Sequence, residues 1–235
     1  MSIKQLLSPF LFLTVLSSFG GAALAQSMPQ QFVVTYVEFK AANTKSGAQT
    51  LKELATSAEA SSGVVNFDVL QQIDRPNFFA LFEVWTSAQA FSDFQSSSAT
   101  QAILTHLTHL LEAPLDERLA SLLAGTVSTP SRHGEVRQIF VITHVDSDPQ
   151  FVGQIGPLLD TFVNESLNDS GVQMFALLSQ TPTPNHFQLV ETFADLQAFN
   201  AHASAHHTVE FRNSTTAFLG APYDERLYHF VDRRR

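Results

Sequence analysis

The chain has 235 residues, 44% of them hydrophobic, and a formal net charge of −9 from 13 Lys+Arg against 22 Asp+Glu. That apolar fraction is enough for one packed domain or two small ones. The acidic balance, with no basic run before Arg233–Arg235, excludes nucleic-acid binding through a cationic face, and the absence of cysteine excludes disulfides and thiol chemistry.

The first element in chain order is a targeting signal. Lys4 precedes an apolar stretch from Leu6 to Phe19, and small residues then end in Ala23-Leu24-Ala25. This is the pattern of a secretory signal peptide spanning 1–25. The apolar run is shorter than the roughly 20 residues a membrane-spanning helix needs. The expected address is secreted or periplasmic, with no membrane attachment after cleavage.

Gln31–Phe39 reads as an apolar strand. Leu51, Leu54, Ala55 and Ala58 then fall at i, i+3, i+4 and i+7, the spacing of a helix face, and Gly63 stops the helix. Two strands follow, Val64–Ile73 and Asn77–Thr86, joined by the turn at Pro76. A second helical region runs from Ser87 to Leu111, Pro114 ends it, and a last strand opens in Asp116-Glu117-Arg118. Residues 120–138, with Gly125, Pro130 and Gly134, read as a linker.

The same outline then repeats. Gln138–Val145 is a strand, and Leu158, Leu159, Phe162 and Val163 mark a helix face. Pro157 is expected in the first turn of that helix, or at a kink. Gly171 ends it, Val172–Gln180 and His186–Phe193 are strands, and a helical region runs from Asp195 to Leu219 before Pro222. A shift of 108 residues superposes Phe32–Leu119 on Phe140–Leu227 without a gap, with 29 identities in 88 positions. Six of seven letters of APLDERL (113–119) return in APYDERL (221–227). The chain is a duplication: one unit over 30–119, the linker, and a second unit over 139–231. The order β-α-β-β-α-β is the ferredoxin-like split βαβ unit.

Phe79-Ala80-Leu81-Phe82-Glu83-Val84-Trp85 is apolar on both faces, and Phe187–Phe193 is similar. A sheet with helices on one side should have one wet face, so something covers the other. The other copy's sheet is the nearest cover. The expected fold is α+β: two tandem ferredoxin-like units packed sheet to sheet as an intramolecular dimeric α/β barrel. A further homodimer of this pseudo-dimer stays open.

Phe187–Phe211, FQLVETFADLQAFNAHASAHHTVEF, has a Glu on the third strand, an aromatic two residues on, Ala-Phe in the next helix, and His-x-x-x-His. With the Ser-Gly before the second strand, these features resemble the antibiotic biosynthesis monooxygenase family, which includes quinol monooxygenases. The first copy keeps Glu83, Trp85 and Ala90-Phe91 but has Phe94 and Ser98 where the second has His202 and His206. The resemblance implies a small dimeric α/β barrel. It also implies oxidation of a quinol or phenolic small molecule by O2 without metal or flavin. Haem binding or degradation, and a non-catalytic barrel holding a small apolar ligand or partner, are the alternatives. No phosphate loop, dinucleotide fingerprint or nucleophile elbow supports a cofactor.

His202 and His206 are i, i+4, which places them on one face of a continuous helix. Such a pair suits a general base, a metal site with a third ligand from elsewhere, or a structural brace. Glu210, at i+8, lies about 12 Å along the axis, too far to share one ion. His207 is off that face. Tyr36 and His144 are equivalent strand positions that could enter a pocket between sheet and helix. The expected catalytic set is His202, His206 and His144, and the substrate-facing set is Trp85, Phe193, Tyr36 and Glu191. Glu83 and Glu191 sit mid-strand and must be paired or neutral if buried; Arg118 and Arg226 are the expected partners.

Overall fold

The computed structural model describes residues 29–127 and 137–231. The expected signal peptide lies outside the described residues. Copy one comprises β1 (Gln31–Glu38), α1 (Thr44–Glu59), β2 (Val64–Gln72), β3 (Phe78–Trp85), α2 (Ala88–Ser96), α3 (Ser98–Thr108) and β4 (Asp116–Thr126). Copy two comprises β5 (Ile139–Asp146), α4 (Val152–Ser166), β6 (Val172–Gln180), β7 (His186–Phe193), α5 (Leu196–Ser204), α6 (His206–Thr215) and β8 (Asp224–Phe230). No helix among the described residues is long and apolar enough to cross a membrane.

The eight strands close into one antiparallel barrel in the order β1-β3-β2-β8-β5-β7-β6-β4. Each copy's last strand does two things. β4 pairs with β1 through Asp116–Ala120, then with β6 of the other copy through Ala120–Thr126. β8 pairs with β5 through Asp224–Tyr228 and with β2 through Tyr228–Phe230. Strand β4 therefore continues seven residues, Ala120–Thr126, into the stretch that composition marks as linker. Gly125 belongs to that strand: its φ is +85°, and a Cβ there would lie 2.1 Å from the Phe175 carbonyl oxygen. Its role is close backbone approach near a register shift at Leu122/Ala124, not flexibility.

Side chains alternate along each strand between lumen and helix side. Phe32, Val34, Phe82, Phe140, Ile142 and Val190 fill the lumen. On the outside, α1 lays Leu51, Leu54, Ala55 and Ala58 on Val33, Phe67 and Leu81, and copy two repeats this with Leu159, Phe162 and Val163 on Val141, Phe175 and Leu189. This explains why β3 and β7 are apolar on both faces: each is covered on both.

Two helical expectations change. Helix α4 starts at Val152, before Pro157, so the proline sits inside it rather than in its first turn. The long second helical region is two helices in each copy. Ser97 (φ −64°, ψ 143°) and Ala205 (φ −63°, ψ 149°) are extended and break it. Ser97 acts as an N-cap, its Oγ accepting from Thr100 N at 3.2 Å. The break in copy two lets α6 fold back so that Phe211 stacks on Phe162 at 4.1 Å.

Glu83 and Glu191 do not meet the arginines. In register Glu83 lies opposite Val33 on the helix side, whereas Arg118 lies opposite Val34 on the lumen side. Antiparallel pairing fixes those parities, so the side chains leave opposite faces of the sheet. Trp85 Nε1 donates to Glu83 Oε2 at 3.0 Å, and Thr143 Oγ1 makes a long 3.5 Å contact to Glu191 Oε1. Burial raises both carboxyls from 4.5 to about 8, so both are protonated at neutral pH. The folded chain then holds protons that the unfolded chain has already released. Their effect on stability is most favourable below about pH 4.5 and declines as pH rises to about 8. The double variant Glu83→Gln, Glu191→Gln should match wild-type thermal stability near pH 4 and exceed it by several degrees at pH 8, since about 1 kcal/mol moves the midpoint by roughly 2–4 °C in a chain of this size. A difference independent of pH would contradict the protonated state.

Candidate functional site

The site assembles in copy two between the helices and the outer face of the sheet. Asp195 caps α5, its Oδ1 accepting from Ala198 N at 2.9 Å, and the helix carries Phe199 and His202 inward. The break at Ala205 then resets the direction of the chain. His206 opens α6 pointing to solvent, its side chain 87% exposed and 3.5 Å from Glu210. His207 turns inward instead. The two expected histidines therefore do not share a face, because no continuous helix joins them.

A third group comes from the turn between α4 and β6. Asp169 Oδ2 accepts from His202 Nδ1 at 2.8 Å and lies 3.3 Å from His207 Nε2. The carboxylate takes the Nδ1 proton of His202 as its hydrogen bond, which leaves Nε2 as the lone-pair nitrogen. His202 is 4% exposed, His207 18% and Asp169 24%, so the cluster is reached from the Asp169–His207 side. Phe162, Phe175 and Phe193 surround His202 with ring centroids at 5.7, 5.4 and 5.3 Å. Burial lowers the His202 pKa, and the Asp169 hydrogen bond works against that. The result is a neutral imidazole in an aromatic shell, oriented by a carboxylate.

Copy one shows what the cluster replaces. A shift of 108 places Ser61, Phe94 and Ala99 at Asp169, His202 and His207. There Phe94 stacks on Trp85 at 4.8 Å, and Phe91 packs on the same indole at 6.0 Å. Trp85 is fully buried in the copy-one core and does not reach the copy-two cluster. Phe193, its equivalent, does. Asp169 and His207 were not singled out from sequence. The signal available was the internal comparison: positions where one copy has a small or apolar residue and the other a titratable one.

Tyr36 and His144 form a separate centre. They do not enter a pocket between sheet and helix; they project into the lumen, where Tyr36 Oη and His144 Nε2 are 2.6 Å apart. Arg118 Nη1 donates to His144 Nδ1 at 3.1 Å, which places the imidazole proton on Nε2, so His144 donates to the Tyr36 hydroxyl. Burial and the two arginines push His144 down to about 4, and burial holds the Tyr36 phenol well above its ordinary value. Arg118 and Arg226 lie over the Tyr36 ring at 5.1 and 4.9 Å, and each pairs with the aspartate two residues before it in its Asp-Glu-Arg-Leu segment, Asp116 or Asp224. A rim pocket of about 130 Å³ adjoins this centre, lined by Tyr36, Tyr228, Arg226, Asp116, Phe78 and Pro114 among others. Glu191 lies on the opposite, helix-side face of the sheet, in the copy that holds the His202 cluster.

Comparison with known proteins agrees with this architecture. The sequence matches the family described as antibiotic biosynthesis monooxygenase twice, over residues 31–105 and 138–214, which together exceed half the chain. No curated protein matches. Solved structures share the whole barrel. Two are named "putative monooxygenase". The one from Fusobacterium nucleatum subsp. nucleatum has TM-score 0.76 and 14% identity, covering 88% of this chain and 94% of that one. The one from Lactobacillus acidophilus has TM-score 0.70 and 10% identity, covering 86% and 94%. An "anthrone oxidase-like protein" gives TM-score 0.68 and 10% identity, covering 86% and 92%. At such identities these structures show the fold alone. The two matched segments fall one in each repeat, short of the closing strands β4 and β8, and the chain belongs to the antibiotic biosynthesis monooxygenase family, whose monooxygenase-like function it shares at family level.

Proposed function

We propose that the chain oxidises a small phenol or quinol with O2 at the copy-two cluster, outside the cytoplasm. The address rests on residues 1–25 alone. One observation carries the catalytic reading: the Asp169–His202 dyad inside an aromatic shell occurs in one copy and is absent from the other. The lone pair on His202 Nε2 accepts the phenolic proton, and Asp169 holds the tautomer and steadies the imidazolium that forms. The phenolate is electron-rich enough to pass an electron to O2. Recombination of the radical pair gives a ring hydroperoxide. Loss of water leaves one oxygen atom on the ring as a carbonyl, so that quinol and O2 yield a hydroxyquinone and H2O. The phenyl rings of Phe162, Phe175 and Phe193 supply a flat apolar wall for such a ring.

A second reading, ligand binding without turnover, rests on the rim pocket beside Tyr36. Its volume is close to the roughly 150 Å³ of cavities that admit one benzene ring. A small molecule retained by the purified chain in native mass spectrometry, and lost in the Tyr36→Phe, Arg226→Ala variant, would favour it.

The catalytic reading is tested by oxygen uptake with a reduced naphthoquinone, corrected for autoxidation. His202→Ala should lower the rate about 100-fold or more, the usual contribution of a positioned base, and His206→Ala should leave it unchanged. Equal uptake by wild type and His202→Ala would sink the assignment. The pH profile is a second check. Because His202 is held below 6.5, its protonation should cost no activity between pH 6.5 and 8, and the acid limb should lie lower.

A further inference from the structure

We propose that Asp169, His202 and His207 bind one divalent transition-metal ion of the zinc class, and that the bound ion disables His202 as a base. The Asp169 carboxylate oxygen, His202 Nδ1 and His207 Nε2 all lie within 4.8 Å of one another. Two imidazole nitrogens and one carboxylate oxygen are a donor set that zinc and iron(II) accept, and three protein ligands leave a position for water. The ligands come from three segments: the α4–β6 turn, the end of α5 and the start of α6. The extended residue Ala205 makes this convergence, since it turns His207, and not His206, toward Asp169.

Two further observations point to an ion. Oδ2 of Asp169 is the near neighbour of both imidazoles, at 2.8 and 3.3 Å, yet only the His202 contact is aligned as a hydrogen bond. His207 Nε2 is buried with no hydrogen-bond partner, an unfavourable state for a polar atom. An ion among the three atoms gives each of them a partner. Second, copy one has Ser61, Phe94 and Ala99 at the same three places, so all three ligands are present in one copy and none of the two imidazoles or the carboxylate in the other. The surrounding frame, including Phe67 and Phe175 and Phe91 and Phe199, is shared.

Coordination through Nδ1 fixes the remaining imidazole proton on Nε2. The nitrogen that would take a substrate proton then becomes a donor. This consequence rests on the proposed base role of His202; metal binding itself does not.

The test uses tag-free full-length protein, treated with chelator and then freed of it. Titration with Zn2+ by calorimetry should show one site per chain. Asp169→Asn and His207→Gln should each weaken it at least about tenfold with unchanged circular dichroism, and His206→Ala should leave it unchanged. Co2+ should give the visible absorption of a low-coordinate nitrogen–oxygen site in wild type and not in His207→Gln. Wild-type affinity within twofold of the Asp169→Asn, His207→Gln double variant would overturn the site. In the second arm, Zn2+ loading should abolish oxygen uptake, and chelator should restore it. Binding without loss of uptake would overturn the switch. Binding with no uptake in any form would overturn the proposed oxidation and leave the metal site standing.

Discussion

Neither copy can complete its own sheet. Within copy one, β4 spends its first half on β1 and its second on β6; within copy two, β8 divides itself between β5 and β2. A four-stranded unit alone would expose unpaired backbone at both edges and a bare face of Phe32, Val34 and Phe82. Closure removes both costs together. Burial of the inner faces, the register of each strand and the parity of every side chain follow from it. So does the distribution of chemistry: lumen positions such as Tyr36 and His144 meet across the pseudo-twofold axis, and each helix-side core is built mainly from its own copy, with Ile73 and Ala124 of copy one and Val231 of copy two reaching across.

Covalent duplication frees the two copies to differ. In a homodimer, equivalent residues on the axis must be identical. Here Tyr36 meets His144, a donor–acceptor pair that identical subunits cannot make. The same freedom operates outside the barrel. Copy one fills the space under its helices with Trp85, Phe91 and Phe94, an aromatic stack that buries area and anchors the protonated Glu83. Copy two gives up part of that packing for Asp169, His202 and His207. Burying polar groups is costly unless they are partnered, and the carboxylate supplies most of that partnering. One copy thus serves stability and the other carries the polar cluster, on one shared frame.

Much of the frame was legible in the sequence. The gapless 108-residue match, strands apolar on both faces, and Gly63 and Gly171 at equivalent turns all point to a tandem barrel. Those glycines have φ of +106° and +87°, and a Cβ at either would approach the Ala90 or Ala198 methyl within 2.7 Å. Less legible was anything that depends on where a helix turns. Ser204-Ala205-His206 contains no proline or glycine, so nothing local announces the break that exchanges His206 for His207. Ser96-Ser97-Ser98 in copy one offers a capping residue at the equivalent place, and reading the copies together brings the break into view. The partners of Glu83 and Arg118 were mismatched because sequence proximity says nothing of sheet face. Only the register, Glu83 opposite Val33 and Arg118 opposite Val34, separates them.

The two copies share one barrel frame, and among the positions where they differ, Asp169, His202 and His207 form the polar cluster proposed as the site. The most direct measurement converts copy two into copy one, with Asp169→Ser, His202→Phe and His207→Ala together, and follows thermal unfolding and oxygen uptake on a reduced naphthoquinone side by side. The expected result is a folded barrel at least as stable as wild type, with uptake reduced to the autoxidation background. A folded triple variant that consumes oxygen at the wild-type rate would contradict it.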